Sequence, residues 1–160
     1  MVNRSHYLLL FSITLLLGCG HSDHTGHDRH AAVAERGAHV MPFDLERTTH
    51  IFTTQPMGGV QQVISDDGDE EQIALIQSHL QEEVERFQVG DFDDPAMIHG
   101  DDMPGLQQLV TGHDKLTITY SDLSDGGQIV YETAEPDLIE AIHLWFSAQL
   151  SDHGNHAQSD

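Results

Sequence analysis

The sequence contains a single cysteine, Cys19, among its 160 residues. No disulfide can therefore form within one chain, and no pair of thiolates can hold a metal ion. The folded part must be stabilised by packing instead. The segment 40–150 is long enough for one compact domain but not for two.

Basic residues are also scarce. The chain has 6 Lys and Arg against 27 Asp and Glu, which gives a formal net charge of −21. A surface of this kind repels nucleic acid and anionic substrates and attracts cations. We therefore expect metal cations, and no nucleic acid, among the partners.

The common catalytic motifs are missing. The sequence has no H-E-x-x-H, no C-x-x-C and no G-x-S-x-G, and no glycine-rich phosphate loop precedes a helix. These absences favour a protein that is not an enzyme. The catalytic alternative is acid–base chemistry by His79 together with Glu83, which lie four residues apart.

Long hydrophobic runs are absent too. The apolar run from Tyr7 to Leu17 is too short to span a membrane and follows Arg4, as in a secretory signal peptide. The sequence Leu16-Leu17-Gly18-Cys19 resembles a bacterial lipobox, so we predict a lipoprotein signal peptide over 1–18 and a lipid on Cys19. An ordinary signal peptide with a chance cysteine is the alternative. Gly20 after the cysteine favours the outer membrane, with the protein facing the periplasm.

The middle of the chain shows clear secondary-structure patterns. Apolar residues at intervals of three and four predict an α-helix over Asp69–Val89. Short β-type segments flank Pro56-Met57-Gly58-Gly59 and the later turn Ser124-Asp125-Gly126-Gly127, which predicts two hairpins. A final helix begins at Pro136. The predicted fold class is α+β, with two successive ββα units forming an antiparallel sheet and helices packed on one face.

Both flanks of this domain have little to bury. Residues 19–39 are rich in His, Ala, Gly, Asp and Arg, and we expect a disordered His-rich tether there. The segment 151–160 is expected to be a flexible tail.

Four histidines recur in the tether at a strict spacing of three: His21, His24, His27 and His30. An extended segment with three residues per turn would place all four imidazoles along one edge. Imidazole ligands suit Zn²⁺, Cu²⁺ or Ni²⁺, so the pattern favours weak, exchangeable metal binding. The alternative is a solvated polar spacer.

A second candidate metal site lies in the folded domain. His79 and Glu83 have the spacing of a two-ligand half-site, and the loop Gly90–Gly105 adds His99 and Met103. Imidazole with thioether favours copper. His143 on the last helix is a further candidate ligand, whereas Met103 as a core residue and His99 bonded to backbone are the structural alternatives.

Three stretches carry a family resemblance: Met41–Gln61, Gly90–Leu106 and Leu138–Gly154. They resemble a family of small His-rich bacterial envelope proteins, some of which carry the label aspartate carbamoyltransferase. The resemblance implies no functional residues. Aspartate carbamoyltransferase is a much longer, two-domain α/β protein, and its pocket holds anionic substrates with Arg and Lys side chains. The few basic residues here cannot build such a pocket.

Taken together, these patterns predict a lipid-anchored envelope protein that binds copper or zinc ions as a buffer, scavenger or delivery protein. The alternative is an interaction or structural lipoprotein whose acidic domain docks a protein partner.

Overall fold

A computed structural model describes residues 24–159, with side chains from Arg29 onward. Five helices, five strands and three short 3₁₀ turns follow one another in this range. In chain order the helices and strands are α1 (His24–Val40), β1 (Thr48–Gln55), β2 (Gly58–Ser65), α2 (Glu70–Phe87), α3 (Asp93–His99), α4 (Leu106–Gly112), β3 (Thr117–Leu123), β4 (Gly126–Glu132), α5 (Pro136–His153) and β5 (Ala157–Ser159).

The strands form one sheet in the order β3-β4-β2-β1-β5. Its centre is antiparallel, and the two hairpins pair through β2 and β4, where Val60 lies opposite Val130. The predicted α+β class and the two successive ββα units are confirmed, with α2 and α5 packing on the sheet. The first hairpin turn is tighter than predicted, because β2 already begins at Gly58.

Gly58 shows why a glycine stands at this turn. Its φ is 143°, and a Cβ there would lie 1.9 Å from the carbonyl oxygen of Tyr131 on the neighbouring strand. Only a residue without a side chain lets the two strands approach this closely.

The hydrophobic core fills the space between the helices and one sheet face. The strands contribute Phe52, Val63, Ile129 and Tyr131, all at most 1% exposed. The helix stripes predicted from sequence supply the other side, namely Ile76, Leu80, Val84 and Phe87 from α2 and Leu138, Ile142, Trp145 and Phe146 from α5. None of the helices in the range 24–159 is both long and apolar enough to cross a bilayer.

The segment predicted to be a disordered tether is helical from His24 onward, so that prediction was wrong for this part of it. Helix α1 docks through Val33, which is 1% exposed, and through Arg29, which pairs with Asp152 of α5. Arg36 Nε also donates to the carbonyl oxygen of Ile98 at 2.6 Å. One buried valine and two arginine contacts hold the helix. Because this attachment uses one apolar side chain, the sequence of α1 shows no apolar stripe.

The predicted flexible tail is also ordered up to Ser159. Helix α5 continues to His153, and β5 then pairs in parallel with β1, with Ala157 opposite His50. Backbone hydrogen bonds to the sheet edge hold this strand. Because such bonds need no particular side chains, the polar sequence of the tail gave no sign of them.

The loop predicted over Gly90–Gly105 contains α3, which places Pro95 in the first helical turn, where a missing N–H costs no hydrogen bond. Gly100, with φ 101°, ends this helix directly after His99. A further short helix, α4, begins at Leu106, two residues after Pro104.

Candidate functional site

A partly open pocket with an inner space of about 30 Å³, called the interior cavity below, lies between α2, α3, α5 and the sheet. Space of this size accommodates roughly two water molecules. Apolar residues such as Phe43, Phe87 and Ile98 form part of its wall. The polar residues that line it, which we call the cavity residues, are Gln61, Asp94, Gln149, Trp145, His50, His79, His99 and Glu83.

Three secondary-structure elements carry the cavity's histidines and its buried glutamate. His50 points inward because it lies two residues from both Thr48 and Phe52 along β1. All three side chains are buried on the same face of the strand. His79 and Glu83 lie one turn apart on α2 and so share a helix face. His99 is the last residue of α3, which orients its ring toward the end of α5.

A buried carboxylate fixes the ring orientation of His99. The imidazole Nδ1 lies 2.9 Å from Asp152 Oδ2, and both side chains are at most 3% exposed. Burial alone would raise the pKa of Asp152, but hydrogen bonds from Arg29 and His99 lower it, so the group is a carboxylate. A carboxylate only accepts, so Nδ1 carries the proton and the lone pair of His99 is on Nε2.

Glu83 carries a proton at neutral pH. Burial, followed by the neighbouring Asp94 carboxylate, raises its pKa to about 8, against a smaller lowering effect of Arg86. Arg86 Nη1 is 3.3 Å from Glu83 Oε1, but the same guanidinium also pairs with Asp91 and Asp94. Of the three acids that share this cation, Glu83 is the most buried, at 7% exposed, so it is the one that takes up a proton.

The cavity histidines are neutral. Burial lowers the pKa of His50 to about 4, and it also lowers the pKa values of His79 and His99. At His99 the neighbouring Asp152 opposes this shift without cancelling it. Neutral imidazoles have a free lone pair, which is the form that binds metal ions.

Three buried polar atoms among residues of this cavity lack any hydrogen-bond partner: His50 Nδ1, Trp145 Nε1 and Gln149 Nε2. An unpaired buried polar group typically costs about 1–3 kcal/mol. Partners for these three atoms must come from outside the polypeptide, and ordered water in the cavity is one such partner.

No group of three or more His, Cys, Asp or Glu side chains in the range 24–159 is already arranged to hold a metal ion. The cavity therefore assembles suitable ligand types without presenting a finished coordination shell. A metal ion would require changes of side-chain rotamer among the residues that line it.

The structure brings together three of the five ligands predicted for the folded domain. His79, Glu83 and His99 line the same cavity, whereas Met103 and His143 do not. Met103 is 3% exposed within the hydrophobic core. His143 Nε2 lies 3.0 Å from the carbonyl oxygen of Gln55 and 2.9 Å from that of Gly58, so the ring holds the β1–β2 turn.

The N-terminal predictions fall mostly beyond the described side chains. The signal peptide, Cys19 and His21 precede residue 24, and His24 and His27 lie in the part of α1 without described side chains. His30 is described, and its Nε2 lies 2.9 Å from the carbonyl oxygen of Ser151.

Two further histidines near the cavity, His50 and His153, were not among the predicted ligands. Thr48, His50 and Phe52 are spaced two residues apart along β1. This spacing is visible in the sequence and places His50 on the buried face. His153 lay in the segment predicted to be flexible. Its ring stacks on His50 with centroids 4.8 Å apart and meets His99 edge-on at 5.0 Å.

No protein-family model matches this chain, and neither a curated protein nor a solved structure matches it. Its function must therefore be inferred from its own residues.

Proposed function

We propose that the protein binds a divalent transition-metal ion in the bacterial cell envelope, with His50, His79, His99 and Glu83 of the interior cavity as ligands. It would act as a buffer, scavenger or delivery protein. One observation carries the proposal: three neutral imidazoles and a carboxyl group line a cavity around which three buried polar atoms have no partner.

The surroundings of His99 support this assignment. Metal-binding histidines usually donate their second ring N–H to a carboxylate, which fixes the tautomer and makes the ligating nitrogen more basic. The bond from His99 Nδ1 to Asp152 has this geometry. Trp145 Nε1 and Gln149 Nε2 are donors suited to a water or hydroxide bound to the ion.

The ligand types favour Zn²⁺ or Cu²⁺. Imidazole with one carboxylate suits both ions, whereas Cu⁺ prefers sulfur ligands. Met103 lies in the core and not at the cavity, which removes the reason for expecting Cu⁺.

The energy of metal binding is large enough to rearrange the site. Zinc-finger peptides, whose ligands include thiolates, gain about 10–16 kcal/mol on binding Zn²⁺ at neutral pH. An off-rotamer side chain costs only about 0.5–1.5 kcal/mol. Releasing the Glu83 proton at pH 7 costs roughly a further 1.4 kcal/mol, because its pKa is about one unit higher.

Two further parts of the proposal concern the N-terminus. A lipid on Cys19 would hold the protein at the membrane, and His21, His24, His27 and His30 would add weaker, exchangeable binding. Both remain proposals from the sequence.

Calorimetric titration of the full-length protein with Zn²⁺ tests the cavity site. The double variant His79→Gln, Glu83→Gln should lose one tight site and keep the weaker N-terminal binding, because it removes two ligands that lie side by side on α2. Glu82→Gln is the matched control, since Glu82 is the exposed neighbour on the same helix. Equal tight-site stoichiometry in the double variant and in this control would overturn the assignment.

A further inference from the structure

The carboxyl end of α3 is held by two arginines of α1. Arg36 Nε donates to the carbonyl oxygen of Ile98 at 2.6 Å, and Arg29 Nη2 lies 3.4 Å from the carbonyl oxygen of His99. The last carbonyl groups of a helix have no N–H partner within it, so they need donors from elsewhere. Helix α1 supplies donors at the end of α3, where His99, a proposed ligand of the cavity, is the last residue.

Arg29 also holds the carboxylate that orients the His99 ring. Its Nη2 donates to Asp152 Oδ2 at 2.7 Å, and its Nε pairs with Asp152 Oδ1. The same Oδ2 lies 2.9 Å from His99 Nδ1. One guanidinium, one carboxylate and one imidazole therefore form a continuous hydrogen-bonded chain that runs from α1 through α5 to α3.

The Asp152 carboxylate depends on this arginine. Its side chain is 3% exposed, and removing the partner of a buried charge is strongly destabilising. Without Arg29 the carboxylate is stabilised by turning toward solvent, and His99 Nδ1 then loses the acceptor that fixes its proton. A neutral imidazole without such an acceptor populates both tautomers, so its Nε2 no longer always carries the lone pair that binds a metal ion.

The docked helix α1 contacts both elements that carry the His99–Asp152 pair. Besides the arginine contacts, His30 Nε2 lies 2.9 Å from the carbonyl oxygen of Ser151, next to Asp152 on α5. Val33, at 1% exposed, is the apolar anchor. These side chains fall within about two turns of α1, so the helix bridges α3 and α5 as a unit.

From these contacts we infer that helix α1 positions His99 in the cavity, with Arg29 holding the carboxylate that orients the ring and Arg36 holding the end of α3. The inference rests on the proposed function in one respect. Because His99 is a proposed metal ligand, docking of α1 and metal binding strengthen each other, and α1 regulates the affinity of the site.

Nitrogen NMR of the imidazole rings, recorded on the metal-free full-length protein at one fixed pH, reports the tautomer of His99. The variant His99→Gln assigns its signals. The test variant is Arg29→Met, which keeps an apolar stem and removes the charge and the donors. Lys115→Met is the matched control, because it also removes one positive charge, but from an exposed ion pair with Glu135.

His99 should carry its proton on Nδ1 in the wild type and should show a mixture of tautomers in Arg29→Met. Arg29→Lys, which restores the charge, should restore much of the Nδ1–H form. Calorimetric titration with Zn²⁺ should show a Kd of the tight site about 10–100-fold higher in Arg29→Met, the usual effect of losing a partner behind a ligand. Lys115→Met should match the wild type in both measurements.

A second variant tests the docking of α1 with both arginines present. Val33→Asp should undock the helix, raise the Kd for Zn²⁺ and mix the tautomers of His99, and it serves if Arg29→Met folds poorly. By reciprocity, saturating Zn²⁺ should slow amide hydrogen exchange over residues 24–40 of the wild type by the factor by which undocking raises the Kd.

The tautomer and the Kd separate the outcomes. An unchanged His99 tautomer in Arg29→Met, or an equal change in Lys115→Met, would overturn the positioning of His99 by α1. A changed tautomer at an unchanged Kd would overturn the regulation of metal binding. A wild type without a tight Zn²⁺ site would refute the proposed function, whereas a tautomer change in Arg29→Met would still support the positioning of His99.

Discussion

Replacing Glu83 by Gln should make the metal-free protein more stable at neutral pH. The pKa of Glu83 is about 8 in the folded protein and 4.5 as the ordinary value. The folded state thus retains a proton that the unfolded chain releases. The contribution of Glu83 to the free energy of unfolding is fully present below pH 4.5 and is lost as the pH rises toward 8. Gln has the shape of the protonated acid and avoids this loss.

The expected size of the effect follows from the difference in pKa. Each pH unit between 4.5 and about 8 costs roughly 1.4 kcal/mol, which amounts to about 3 kcal/mol at pH 7. Glu83→Gln should therefore be about 3 kcal/mol more stable than the wild type at pH 7 and about equal to it at pH 4. For a chain of this length the gain corresponds to roughly 6–12 °C in Tm.

Urea denaturation in the presence of EDTA, repeated at several pH values, measures this difference. Glu82→Gln is the control, because Glu82 is exposed and its replacement should change the free energy of unfolding by less than about 0.5 kcal/mol. A Glu83→Gln protein that is less stable than the wild type at pH 7 would refute the reasoning, since Glu83 would then be ionised and stabilised by Arg86. A gain in stability together with a loss of metal binding would identify Glu83 as a residue that lowers stability in favour of function.

Three further predictions concern the core, helix α1 and the anchor. Met103→Ala should lower the free energy of unfolding, measured by urea denaturation, by about 2–5 kcal/mol, as truncations of core residues do. It should leave the Zn²⁺ affinity unchanged, and a loss of affinity at unchanged stability would make Met103 a ligand. Val33→Asp should release α1, seen as faster amide hydrogen exchange over residues 24–40 with α2 still protected, whereas Ala38→Asp at an exposed position of the same helix should not. Cys19→Ser should move the protein from the membrane to the soluble fraction, and an intact mass without lipid on the wild type would contradict the proposed anchor.

The central elements could be predicted from the sequence because their side chains carry a repeating pattern. Ile76, Leu80 and Val84 mark the buried face of α2, and Asp69 accepts hydrogen bonds from the N–H groups of Glu71 and Gln72 as an N-cap. The backbone N–H of Asp69 in turn donates to Asp67, and not to Gln72 as it would in a capping box. Gln72 instead accepts a bond from the backbone N–H of Asp44, a contact between distant segments that spacing cannot reveal.

The site could be predicted only in part, for a related physical reason. The spacing of His79 and Glu83 fixes their proximity on one helix, and that proximity is found. The approach of His99 to Asp152 joins residues 53 positions apart and depends on how α3 packs against α5. His153 was unexpected because α5 continues into the polar segment 151–153, beyond the apolar stripe that marks the helix in the sequence.

Strand β5 also covers part of an edge that would otherwise be open. Within the range 24–159, β1 has β2 on one side and the three residues Ala157–Ser159 on the other, opposite His50, Ile51 and Phe52. Unpaired strand edges recruit other chains, and a short polar strand laid over one is a common protection. A form of the protein trimmed before Ala157 by a protease would expose those backbone groups of β1 and gain a tendency to self-associate.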